Sequence, residues 1–142
     1  MTPTPRPKAV DIAFWMLVGG SVLLVVNGMM AVSLSFTEGG GQTPEIQFFL
    51  RASGILFVVL GAALGFLSGR TRQGDSRFRR AVIAFAAAIA IFVLGLAVLA
   101  KAASVIALVA LLPIIFGALA LTRPPVVVWF AQNDLGQEPS RG

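Results

Sequence analysis

The chain has 142 residues, of which 57% are apolar and 12% charged; soluble domains average roughly 45 to 50% and about 25%. That balance excludes a water-soluble globular fold and makes the class integral membrane protein. The net charge of +5 comes from Lys and Arg bordering apolar runs, which fits positive-inside topology better than nucleic-acid binding, and the lack of Cys and His removes disulfides, thiolate ligands and thiol nucleophiles.

Residues 1–9 alternate Thr and Pro before two basic residues and cannot build a helix, so a disordered N-terminal segment is expected. Residues 10–34 form the first apolar run. Arg6 and Lys8 ahead of it and Ala31-Val-Ser33 within it suggest a signal peptide, but the run is too long for the usual apolar region of about 7 to 15 residues, and a retained span is expected. Gly20, Ser21, Gly28 and Ala31 give this span a small-residue face, and Asn27, its one strongly polar side chain, is expected to bond across to another helix. The loop Ser35-Phe-Thr-Glu-Gly-Gly-Gly-Gln-Thr43 is too short for a folded domain.

The second span is predicted over 44–69. Thr43 reads as its N-cap, Pro44 as its first helical residue and Glu45 as first-turn acid, while Arg70 and Arg72 sit at the end where the helix dipole is negative. At 100° per residue, Gly61, Gly65, Ser68 and Gly69 all fall within about 60° of Gly54. Lipid supplies no hydrophobic force between helices, so such a stripe, by admitting a second backbone closely, predicts a packing face. The first, third or fourth span of the same chain is the expected neighbour, the third being a suitable mate through Ala84, Ala88 and Gly95; a partner protein is the alternative. Beyond the stripe come Arg70, Arg72, Arg77, Arg79 and Arg80, read as a solvated basic clamp that pairs with anionic lipid headgroups.

Asp75 or Ser76 can cap a third span over 77–100, making a tight hairpin with the second. From Ala81 to Leu121 the only charge is Lys101; one straight helix of that length would measure about 60 Å, twice the hydrocarbon thickness. The chain is therefore expected to turn near 99–104 and return as a fourth span over 102–122, kinked at Pro113 with Gly117 four residues on. Pro124-Pro125 should stop that span, leaving 123–142 as a tail whose Val126-Val-Val-Trp129-Phe130 strip suits the headgroup level and whose end, from Asn133, is frayed. The predicted fold is an all-α, four-transmembrane-helix antiparallel bundle.

With four spans, Arg6, Lys8, Arg70, Arg72, Arg77, Arg79, Arg80, Arg123 and Arg141 share one side, and Arg51 and Lys101 the other. That asymmetry predicts cytoplasmic termini in a bacterial inner membrane. Asp11, Glu38, Glu45, Asp75, Asp134 and Glu138 all fall in loops, tails or span ends, so the mid-membrane carboxylate that couples proton-driven exporters is missing. The sequence holds no glycine-rich phosphate loop, metal-ligand cluster or Ser/His/Asp set, so no enzymatic activity and no cofactor is expected.

The approach Pro5-Arg-Pro-Lys-Ala-Val-Asp-Ile-Ala-Phe-Trp15, the span Arg51 to Gly65, the loop Gly69 to Arg80 and the exit Leu121-Thr-Arg-Pro124 together resemble small four-helix membrane proteins of actinobacteria. In particular they resemble the lipid-uptake coordinators that accompany mammalian-cell-entry (Mce) lipid transporters. The resemblance, from Pro5 to Phe130, implies an accessory subunit beside an ABC-type permease that imports fatty acids or other lipids, without an ATP site of its own. An autonomous, homo-oligomeric transporter of a lipophilic substrate is the alternative.

Overall fold

The computed structural model describes residues 5–37, 43–100 and 105–137. Within them lie five helices and no strand: α1 (Lys8–Leu34), α2 (Pro44–Thr71), α3 (Ser76–Ala100), α4 (Val105–Leu121) and α5 (Pro124–Gln137). The turn expected around Lys101 lies outside the described residues.

Local chemistry sets the helix starts. Pro7, with its fixed φ of −60°, precedes α1. Thr43 caps α2 by accepting the Ile46 N–H at 3.4 Å, ahead of Pro44 at the first helical position. Asp75 Oδ1 accepts the Arg77 N–H at 2.9 Å and so caps α3. Between α2 and α3 the chain reverses at Gly74, whose φ of +83° is left-handed and costs a glycine nothing.

α1, α2 and α3 are long and apolar enough to cross a bilayer, consistent with a membrane protein. Their 25 to 28 residues correspond to roughly 37 to 42 Å at the helical rise. α4, with 17 residues, qualifies only when joined to α5, and the two are bent by 61°. α4 runs unbroken through Pro113. The bend of 61° between α4 and α5 lies at 122–123, ahead of Pro124-Pro125.

The first four helices form a ring of neighbours. α1 packs against α2 and α4, and α3 against α2 and α4 more loosely. Buried positions alternate three and four apart: Val10, Ala13, Leu17, Gly20, Leu24 and Asn27 in α1; Gly54, Phe57, Gly61, Leu64, Ser68 and Thr71 in α2; Val82, Ala86, Ile89 and Val93 in α3. This is the seven-residue repeat of knobs-into-holes packing. α3 thus meets its neighbours through that row and not through Ala84 and Ala88, which are exposed, or Gly95, which has open space beside it.

The expected tail differs from the observed one. Pro124 does not merely stop α4; it begins α5, since proline suits a first helical turn. Val126, Trp129 and Phe130 are buried, and with Asn133 they share the face that turns back onto α3 and α4. The segment expected to fray is helical as far as Gln137.

Candidate functional site

The predicted small-residue face is assembled chiefly between α1 and α2. A Cβ built on Gly28 would lie 2.5 Å from the Gly54 carbonyl oxygen, and one built on Gly54 would lie 2.7 Å from the Gly28 carbonyl oxygen. Two backbones therefore meet at a reciprocal glycine pair, close enough for Cα–H contacts to carbonyl oxygens. Gly61 continues the contact against the Ser21 carbonyl oxygen and Val25, and Gly65 faces the Ser21 side chain at 3.3 Å. Ser68 is fully buried and returns its hydroxyl to the Leu64 carbonyl at 2.6 Å. Gly69 falls outside the face: it is exposed, with nothing within 4 Å of its Cβ position. Of the three helices of the same chain that could meet the stripe, α1 does so, and α3, the suitable mate on composition, does not.

The other side of α1 uses small residues against α4. A Cβ on Gly20 would collide with Ile114, and one on Gly117 would meet Leu17 at 2.8 Å and the Ala13 carbonyl oxygen at 3.2 Å. α1 is thus clamped on two sides.

The arginines divide by role. Arg72 reaches Asp11 at 3.6 Å with its guanidinium 4.6 Å over the Phe14 ring, and Arg6 joins the same carboxylate at 3.1 Å, tying the start of α1 to the end of α2. Arg79 donates to the Leu121 carbonyl at 3.2 Å and lies 5.8 Å from the Phe130 ring centre, fixing the end of α4 and the start of α5. Arg70 stays local, with Gln73 at 3.4 Å and Phe66 at 5.5 Å. Arg77 and Arg80 are exposed. The five arginines expected to form one solvated clamp therefore include two that hold helices together, a role invisible without the fold.

At the opposite end the four helices all line a cavity of about 200 Å³. Its buried base is formed by Asn27, Phe57, Val93 and Ala107, and its exposed rim includes Met30, Leu34, Phe49 and Leu108. Ser53 also lines it, its hydroxyl bonded to the Leu50 carbonyl at 3.2 Å. Asn27 is 6% exposed and sits where the predicted polar contact of α1 was placed. The described carboxylates, Asp11, Glu45, Asp75 and Asp134, all lie at helix ends or, in the case of Asp134, in the last turn of α5. The chain matches no protein-family model, no curated protein and no solved structure.

Proposed function

We propose that the protein is a non-catalytic accessory subunit of an inner-membrane lipid-import complex of the Mce, ABC-type class, a four-span bundle packed against the permease. The reading is supported chiefly by one observation: the described acidic groups lie at helix ends, around a bundle closed by its own small residues. Such a chain has surface to offer rather than a titrating centre. Since the glycine stripe is occupied by α1, the partner face falls to α3, which is held more loosely and turns Ile91, Val98 and Leu99 outward. Cytoplasmic termini and headgroup contacts of Arg77 and Arg80 follow from the arginine asymmetry.

Affinity purification of the tagged chain in mild detergent, with mass spectrometry of the retained proteins, tests this directly; a permease and an ATPase are the expected companions. The cavity favours a second reading, an autonomous oligomeric transporter of a lipophile, and purified protein that alone moves lipid between liposome compartments would replace the first reading with the second. For orientation, single cysteines at Gly40 and Gln73 should differ in labelling by an impermeant maleimide on intact cells. Labelling at Gln73 alone would reverse the topology.

A further inference from the structure

We infer that the cavity at the end of the bundle opposite the arginine loop is a binding site for one acyl chain of a surrounding bilayer lipid. This rests on the membrane reading of the bundle and not on any transport partner.

Geometry comes first. The lining residues run from Leu34 down to Asn27 on α1 and from Phe49 down to Phe57 on α2. Seven residues of rise on α1 and eight on α2 give the site a depth of about 10 to 12 Å. Its base is closed: Phe57, Val93 and Ala107 are 7%, 3% and 4% exposed. Its rim is open, with Met30, Phe49 and Leu34 each near half exposed. Val26, one turn from Met30 on α1, is also exposed, so the mouth continues into outward apolar surface that lipid would coat.

Chemistry then selects the occupant. Among the described residues lining the site none is charged, and only Asn27 and Ser53 are polar; the described walls are Phe, Leu, Met, Val and Ala. A volume of about 200 Å³ exceeds that of an apolar engineered cavity, about 150 Å³, which stays dry and binds benzene. Depth and volume therefore suit the end of one flexible hydrocarbon chain. α3 supplies Val93, Leu96 and Ala97 to one wall and is the more loosely held helix, so it can yield as a chain enters.

The test reconstitutes the full chain in vesicles of a phosphatidylcholine carrying a photoreactive diazirine near the end of one acyl chain, irradiates it and maps the adducts by mass spectrometry. Adducts are expected at Ser53 to Phe57 and Val93 to Ala97. Ala97→Trp, which fills the cavity, should lower that labelling about tenfold or more, whereas Val22→Trp, on the outward face of α1, should leave it unchanged. Adducts confined to outward residues such as Val22, Ile91 and Val98 would overturn the inference, and so would cavity labelling that persists unchanged in a folded Ala97→Trp protein. The mapping on the unmodified chain decides the matter even if Ala97→Trp does not fold, and Ser53→Trp then supplies the blocked form. A parallel arm uses a diazirine-bearing free fatty acid in unlabelled vesicles; cavity labelling by the free acid without labelling by the phospholipid would assign the site to a soluble ligand and overturn the bilayer source. Because the readout needs no permease, a failed copurification and a failed labelling are separate results.

Discussion

α1 and α3 stand diagonally across the bundle and are held in different ways. α1 meets α2 and α4 through glycines at which a Cβ would strike backbone or a branched side chain, so there the helices are pressed together backbone to backbone. α3 meets the same two helices through Val82, Ala86, Ile89 and Val93, with cavity space at its far end and a surface groove along its alanines. The contrast shows that a small residue matters by what it faces: Gly54 and Gly95 are the same amino acid, yet one is a point of closest approach and the other is beside open space.

That contrast can be broken most forcefully at the reciprocal pair. Gly28→Leu or Gly54→Leu must separate two backbones, so a loss of about 3 kcal/mol is expected, the upper end of ordinary overpacking, read as a large drop in the thermal midpoint of the detergent-solubilised protein by circular dichroism. A midpoint within error of wild type would mean that the two helices are not in contact there. Gly65→Leu sharpens the comparison, because its neighbour is only the Ser21 side chain, which can turn aside; about 1 kcal/mol is expected. Gly95→Ala should reverse the sign, stabilising by about 0.5 to 1 kcal/mol because alanine has the greater helix propensity and meets nothing. Destabilisation there would reveal a neighbour on α3.

The smallest effect is expected at the charged end. Arg72→Gln removes an ion pair whose partners are 42% and 45% exposed, so about 0.5 kcal/mol or less is expected, shrinking further as salt is raised. A loss that ignores salt would point to the Phe14 ring contact as the operative part.

Much of this architecture is legible in the sequence, and the parts that are not have physical reasons. Thr43, Pro44 and Asp75 announce their caps because capping is local, and long apolar runs announce α1 to α3 because length and hydropathy are local too. The stripe on α2 is legible in kind but not in its limits. A straight wheel keeps Gly69 with Gly54, whereas the buried row Gly54, Phe57, Gly61, Leu64, Ser68, Thr71 repeats every seven residues and drifts by about 20° per heptad, leaving Gly69 outside. Counting by sevens would have found that row. It would not have told α1 from α3 as the neighbour, since both carry small residues and the choice depends on two surfaces fitting at once.

α5 was obscured by reading Pro124-Pro125 only as a stop. The spacing of Val126, Trp129, Phe130 and Asn133, at i, i+3, i+4 and i+7, is a helical signature that follows a proline suited to a first turn. The cavity has no linear signature: its lining comes from four helices, and its volume is set by how they pack.

The docking of α5 also bears on the order in which the protein is made. A ribosome delivers this helix after α1 to α4, yet the surface it meets includes the Gly74 turn, where Asn133 and Trp129 crowd the glycine, and the Arg79 guanidinium beside Phe130. The turn belongs to the α2–α3 hairpin, and Arg79 is fixed only when it meets the Leu121 carbonyl at the end of α4, so α5 reports on the helices made before it. In a chain whose earlier helices are mispaired, Val126, Trp129 and Phe130 lose the surface that buries them and become an exposed apolar segment.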